Sequence, residues 1–245
     1  MRLSRKNRSL LKRFAAPGTL YAFDFDGTLA PIIKKRAQAT MRKGTRSLLK
    51  RLALSSPVAI VTGRSSRGIR TKVSGVGRLL IIGNHGAEIA GVKLISPAPS
   101  REWKRILSKR LHGVQGVDIE DKKFSLSVHF VQSKNKAAAK KAIERALREL
   151  RGCKIVGGKN VFNLVVPEAP GKGGALRILM KKKKFARAIF VGDDVTDEDA
   201  FKLSRRQVLS VKIGSARATR AQIILKRQND IDEFLRLIMK MSPQV

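Results

Sequence analysis

From about residue 19 the chain alternates short, nearly all-apolar runs with segments of helical periodicity. LYAFD (20 to 24), VAIVT (58 to 62), LLIIG (79 to 83) and AIFVG (188 to 192) are apolar at successive positions, the pattern of strands in a parallel sheet covered on both faces. TRSLLKRLAL (45 to 54) and GGALRILMKK (173 to 182) space their apolar residues as a helix does. DIDEFLRLIMKM (230 to 241) also begins with acids and carries a lysine near its end, as the helix dipole favours. Strands alternating with helices predict an α/β fold with a doubly wound parallel-sheet core.

The middle of the chain follows another rule. In FSLSVHFV (124 to 131), Phe124, Leu126, Val128 and Phe130 fall on one face and Ser125, Ser127 and His129 on the other, which predicts an antiparallel strand exposed on one side. A helical pattern (137 to 150) and a further strand (160 to 166) follow. The change predicts an inserted α+β cap domain with a β-α-β core over residues 97–168, between core segments 19–96 and 169–245. Pro97, Pro99, Pro167 and Pro170 mark the two crossings, and residues 1–18 read as a basic leader.

Composition narrows the function. A hydrophobic content of 42% over 245 residues supports a packed core. The single Cys153 has no partner for an internal disulfide, which suits a reducing compartment, and no run approaches the roughly 18 apolar residues of a membrane span. A cytoplasmic monomer is expected. The formal charge is +35, from 53 Lys and Arg against 18 Asp and Glu, and such a surface attracts polyanions. The basic residues are scattered, in clusters such as Lys34-Lys35-Arg36 and Lys181 to Lys184, with one Trp and one Tyr among them. A single-strand binder interleaves stacking rings with its charges. Non-specific polyanion binding is expected, and no specific nucleic-acid partner.

The scarce acids are more telling. Asp24, Asp26, Asp193, Asp194, Asp197, Glu198 and Asp199 occupy two short windows, each closing an apolar strand. Strand alternation puts Asp24 and Asp26 on one side of the chain, where two carboxylates favour a bound cation or a raised pKa. Mg²⁺ takes oxygen ligands, so Asp193 with Asp194 or Asp197 could complete a site begun by Asp24 and the backbone of Asp26. Glu198 and Asp199 also suit the first turn of a helix. Thr62-Gly63-Arg64 and Lys172-Gly173-Gly174 offer a hydroxyl, turn amides and a lysine to phosphate oxygens.

In this order on the ends of core strands, the motifs resemble the haloacid dehalogenase superfamily, and within it the trehalose-6-phosphate phosphatase family. The marks are DFDGTLAPI (24 to 32), VTGRS (61 to 65), GNHGAE (83 to 88), EDKKFSLSVHF (120 to 130), PGKGGAL (170 to 176) and GDDVTDEDAF (192 to 201). The resemblance implies a Mg²⁺-dependent hydrolase of a small sugar phosphate. Asp24 would be the nucleophile that becomes an aspartyl phosphate, and Asp26 the general acid and base. It implies Thr62 and Lys172 on the phosphoryl group, and Asp24, the Asp26 carbonyl and Asp193 on the metal, supported or joined by Asp194 and Asp197. Arg64, Asn84, His85 and the cap residues Glu120, Lys122 and Asn163 form the implied substrate-contacting set, with His129 structural.

The sequence departs from the family in the cap. Val131 stands where an arginine is usual, and NLVV (163 to 166) where a glutamate and a basic residue are usual, with Asn163 in the glutamate's place. The alternatives are therefore a phosphatase for another glycosyl phosphate, of sucrose-phosphate or glycosyl-phosphoglycerate type, and a non-catalytic polyanion-binding protein.

Overall fold

The computed structural model of the protein describes residues 3–33, 35–89, 91–92, 100–158 and 160–242. Pro97 and Pro99 of the first crossing, and Lys34 of a basic cluster, lie outside the described residues. The chain begins with α1 (Arg5–Phe14), β1 (Leu20–Phe23), α2 (Lys43–Ser55), β2 (Val58–Val61), α3 (Ser66–Lys72), β3 (Leu79–Gly83) and β4 (Glu88–Ile89). It continues with α4 (Ser100–Arg110), β5 (Asp118–Asp121), β6 (Ser125–His129), α5 (Lys136–Leu147), β7 (Lys154–Gly158) and β8 (Val161–Val165). It closes with α6 (Gly171–Lys182), β9 (Ala188–Gly192), α7 (Glu198–Phe201), β10 (Val208–Ile213), β11 (Ile223–Leu225) and α8 (Asp230–Met241). Internal contacts divide it into two units, Met1–Gly91 with Pro170–Val245, and Val92–Ala169.

The first unit is built on a seven-stranded sheet of order β11-β10-β9-β1-β2-β3-β4. Neighbours are parallel except β4, which runs antiparallel to β3. All residues of β1, β2 and β9 are buried, which is why their sequences carry no polar alternation. The chain winds outward from β1 through β2 and β3, then returns to build β9, β10 and β11 on the other side. The winding reverses between β1 and β9, and the carboxyl ends of strands at such a point are where open α/β sheets hold ligands.

Helix packing follows the sequence closely. Ile231, Phe234, Leu235 and Ile238 of α8 recur at i, i+3, i+4 and i+7 and are all 0% exposed, forming the stripe that meets α2. Truncating such a ring, as in Phe234→Ala, costs about 3–5 kcal/mol. The stretch read as a basic leader folds as α1, capped by the Ser4 hydroxyl, which accepts from Asn7 N at 3.2 Å. Leu11 and Phe14 join the core, so this helix belongs to the first unit.

The second unit is richer than the β-α-β expected. It holds a four-stranded antiparallel sheet of order β5-β6-β8-β7, with α4 packed on α5, β5 and β6. Trp103 of α4 is buried, and its indole N–H donates to the Arg151 carbonyl at 3.2 Å. One expectation is corrected here. The serine face of β6 is not open to solvent, since Ser125 and Ser127 are both 0% exposed. The Ser127 hydroxyl is buried because it is satisfied, accepting from Lys122 and donating to Asn163, each at 2.7 Å. Among the described residues no helix is long and apolar enough to cross a membrane.

Candidate active site

β1 and β9 end side by side, and the acids that follow them converge. Asp24 is tied to β9 by its N–H, which donates to the Val191 carbonyl at 2.8 Å, and it is 4% exposed. Lys172, in the first turn of α6, reaches Asp24 Oδ1 at 3.1 Å and Asp197 Oδ1 at 2.7 Å. The other Asp197 oxygen accepts from the N–H groups of Asp193 and Asp194 at 2.9 and 3.0 Å. Both oxygens of this fully buried carboxylate therefore hold other parts of the site. Asp199 caps the neighbouring helix, its Oδ2 accepting from Gly173 N of α6 at 2.8 Å. Glu198 and Asp199 lie in the first turn of α7, as expected, and also serve α6, β10 and the loop before β11.

The glycine in DFDG has a specific cause. Gly27 adopts φ +88°, and a Cβ there would lie 2.1 Å from Asp193 Oδ2, so the Asp193 carboxylate rests where a side chain would stand. Thr28 donates to its other oxygen at 3.2 Å. Asp24, Asp193 and Asp197 each offer a carboxylate oxygen within 4.8 Å of the others. Hard oxygen donors at this spacing, chiefly from Asp24 and Asp193 because both Asp197 oxygens are engaged, suit Mg²⁺ better than a soft metal.

Electrostatics point the same way. Burial, with Asp197, Asp193 and Asp26 nearby, pushes the Asp24 carboxyl well above the usual carboxylate range against the pull of Lys172. Burial and Asp197 push Asp193 up to about 7, again opposed by Lys172. Burial alone would lower Lys172, but Asp197 and Asp24 outweigh it and hold the ammonium above its ordinary value. Asp24 and Asp197 share the single ammonium of Lys172 and Asp193 stands beside them, so acids outnumber cations here and a divalent cation would offset the excess.

The remaining predicted residues of this unit are organised around two loops. Arg64 forms a bidentate pair with Asp26, Nε to Oδ2 at 2.7 Å and Nη2 to Oδ1 at 2.6 Å, and lies over the Phe25 ring. Thr62 is 1% exposed and its hydroxyl accepts from Arg64 N at 3.2 Å. Asn84 N donates to Arg64 O at 2.8 Å and His85 N to Thr62 O at 3.1 Å, so the loop after β3 braces the loop after β2. Asn84 and His85 hold left-handed φ values of 48° and 53°. The Glu88 carboxylate fixes that turn, accepting from Ser66 N at 2.6 Å and Asn84 Nδ2 at 2.9 Å.

In the second unit, Glu120, Ser127, Asn163 and Val156 form one row across the four strands. Lys122 reaches Ser127 at 2.7 Å and Glu120 at 3.6 Å, Asn163 Nδ2 donates to Val156 O at 3.3 Å, and His129 lies 3.0 Å from Glu120. Val131 is 40% exposed beyond β6. The structure thus gathers Asp24, Lys172, Asp193 and Asp197, with Asp194 on the same loop. It pairs Asp26 with Arg64, joins Thr62, Asn84 and His85 through the backbone, and gathers Glu120, Lys122 and Asn163. Sequence reasoning gave no role to Thr28, Glu88 or Ser127, although Thr28 and Glu88 lie within the DFDGTLAPI and GNHGAE motifs. Glu88 had a further signal, as an acid in a basic chain.

The doubly wound sheet shares its fold with a solved haloacid dehalogenase-like hydrolase from B. subtilis, at TM-score 0.64 and 15% identity over 89% of this chain and 99% of that one. A family model described as trehalose-phosphatase matches residues 22–229. The chain belongs to the trehalose-phosphatase family. It is 29% identical over 246 residues to trehalose-phosphate phosphatase B of Arabidopsis thaliana, covering 89% of this chain and 65% of that protein. The chain thus spans just under two thirds of that relative's length. It is also similar to a crystal structure titled trehalose-6-phosphate phosphatase related protein, with TM-score 0.75, 27% identity, and coverage of 91% and 98% of the two chains. The C-terminal domain of the Candida albicans trehalose-6-phosphate phosphatase shares the fold at TM-score 0.80 and 21% identity, over 96% of this chain and 97% of that one.

Proposed function

We propose that the protein hydrolyses trehalose 6-phosphate to trehalose and phosphate, in a Mg²⁺-dependent reaction through an aspartyl phosphate on Asp24. The observation that carries this reading is the buried Asp24 carboxylate, held 3.1 Å from Lys172 and within 4.8 Å of Asp193 and Asp197. In the first step an Asp24 oxygen attacks phosphorus in line, the bond from phosphorus to the sugar oxygen breaks, and that oxygen takes a proton from Asp26. In the second, Asp26 accepts a proton from water as the water oxygen attacks phosphorus, releasing phosphate and restoring Asp24. Arg64 pairs with both oxygens of the Asp26 carboxylate and has to release one of them for Asp26 to carry the proton of the first step. Thr62, a hydroxyl donor, and the Lys172 ammonium stabilise the transferring phosphoryl oxygens.

Asp24, Asp193 and the Asp26 carbonyl, with Asp194 beside them, would hold Mg²⁺, which when bound offsets phosphoryl charge. Asp197 acts as the anchor of Lys172 and of the Asp193 loop, because both its oxygens are engaged there. Asn84 and His85 are the first unit's candidate hydrogen-bonding groups for the substrate, and Glu120, Lys122 and Asn163 form a polar set within the second unit whose chemistry suits hydroxyl groups. Asn163 in place of an acid supports broader acceptance of other glycosyl phosphates. The test is phosphate release from a sugar-phosphate panel with and without Mg²⁺. Indifference to chelator breaks the metal assignment, and another sugar phosphate preferred about tenfold, worth about 1.4 kcal/mol, breaks the choice of sugar.

A further inference from the structure

Lys212 is a buried cation that the chemistry above does not use. It lies near the end of β10, opposite Gly192 of β9, one residue before Asp193. Its side chain is 11% exposed, with the ammonium 3.7 Å from Glu198 Oε1 and 5.8 Å from the Phe201 ring centroid. Glu198 is itself fixed, accepting from Arg220 N at 3.0 Å. From this seat Lys212 Nζ donates to the Asp193 carbonyl at 3.1 Å.

The peptide joining Asp193 to Asp194 is therefore gripped at both ends, with a cation on its oxygen and the Asp197 carboxylate on its N–H. Those charges match the peptide dipole. The preceding peptide is held as well, since Asp193 N also donates to Asp197. With both flanking peptides fixed, the backbone of Asp193 has little freedom. Its carboxylate is directed onto Gly27 and Thr28.

We infer that Lys212 is a positioning residue for the metal-binding loop, acting through the Asp193 carbonyl; this rests on the Mg²⁺ reading above. Two effects of the lysine have opposite signs, which makes the inference decidable. As a bare positive charge near the acids it opposes a dication, so its removal would tighten Mg²⁺ binding. As a clamp on Asp193 it preorganises a ligand, and loss of such an outer contact typically weakens metal binding 10–100-fold.

The experiment is thermal unfolding of the full chain titrated with Mg²⁺ alone, for wild type and Lys212→Met, which keeps an unbranched side chain of similar size but loses the charge, the donor and the cation over the Phe201 ring. The expected result is an increase of about tenfold in half-saturating Mg²⁺, matched in the Mg²⁺ dependence of phosphate release, with kcat at saturating Mg²⁺ changed less. A lower Tm with half-saturation unchanged or reduced overturns the inference, leaving Lys212 a packing residue. A wild-type Tm that Mg²⁺ does not move overturns the metal reading and the inference together, whereas a wild-type response shared by the variant overturns the inference alone. Should Lys212→Met not fold, Glu198→Gln decides. It removes one anchor of the ammonium and is expected to raise half-saturating Mg²⁺, and an unchanged value overturns the clamp.

Discussion

Two of the buried lysines, Lys172 in the first unit and Lys122 in the second, are handled differently. Lys172, with its side chain 3% exposed, faces two carboxylates, at 2.7 and 3.1 Å. Lys122, with its side chain 2% exposed, donates to the Ser127 hydroxyl at 2.7 Å, and its acidic neighbour Glu120 is 3.6 Å away with a side chain 48% exposed. The first lysine is neutralised by fixed anions, one of which also organises a loop. The second heads a relay of dipoles, from ammonium to hydroxyl to the Asn163 amide to the Val156 carbonyl. Under the function proposed above the contrast would match two tasks, since a charged phosphoryl group needs preset counter-charges and a neutral sugar needs directed hydrogen bonds.

The largest expected effect is on the carboxylate that Lys172 faces. Asp24→Asn should lower turnover by on the order of 10⁴-fold or more, as removal of a nucleophile does elsewhere. Stability should change little, because the isosteric amide removes a desolvated carboxyl together with one counter-charge of Lys172. Phosphate release near the wild-type rate would sink the mechanism. Next in size is the pair Lys172→Met and Lys122→Met. The first strands two buried carboxylates and should cost about 3–5 kcal/mol. The second leaves a hydroxyl that still has Asn163, and should cost about 1–2 kcal/mol. Equal losses in denaturant titrations would erase the contrast.

Asn163→Glu sharpens it from the other side by giving Lys122 a carboxylate across the Ser127 row. Selectivity for trehalose 6-phosphate over a generic aryl phosphate, read as a ratio of kcat/KM, should rise several-fold, roughly 1 kcal/mol. A ratio that does not change would deny Asn163 any part in sugar recognition.

The smallest effect is in pH. In the metal-free chain Asp24 and Asp193 keep their protons to higher pH than they do when unfolded, Asp193 to about 7 rather than 3.8. The folded state then binds more protons than the unfolded one, so metal-free stability falls as pH rises across that interval. Mg²⁺ displaces those protons. Its stabilising effect should therefore be larger at pH 8 than at pH 6, by about 1 kcal/mol or roughly 2–4 °C in Tm. A Tm increment that is equal or larger at pH 6 would contradict the assignment of these acids to the metal.

The central strands were legible because burial on both faces leaves no room for polar residues, so β1, β2, β3 and β9 stand out as apolar runs. β10 did not, although all six of its residues are buried, because Ser210 and Lys212 interrupt it. α1 was hidden by its charge, since Leu11 and Phe14 are a small share of a basic stretch. The same logic governs the site. Acids are scarce in this chain, so Asp24, Asp193 and Asp197 declared themselves, and Lys172 did so through its glycine-flanked motif, whereas Lys212 is one of 53 basic residues with no motif around it. Ser127 looked like a solvent-facing position because alternation reports which face a residue occupies, not what covers it.

The interrupted first unit has a consequence for how the protein is made. Lys172 and Asp24 are 148 residues apart in sequence, and β1 lies between a strand encoded early and one encoded late. Every strand of the Val92–Ala169 unit, by contrast, pairs within that contiguous stretch. On a ribosome the inserted unit can gather all of its partners while the larger sheet still lacks β9, β10 and β11. Closing the long loop between β1 and β9 is then the entropically costly step and the slow one. Until it is taken, a nascent chain exposes one apolar edge of β1, and the Asp24 carboxylate has neither Lys172 nor its neighbouring acids.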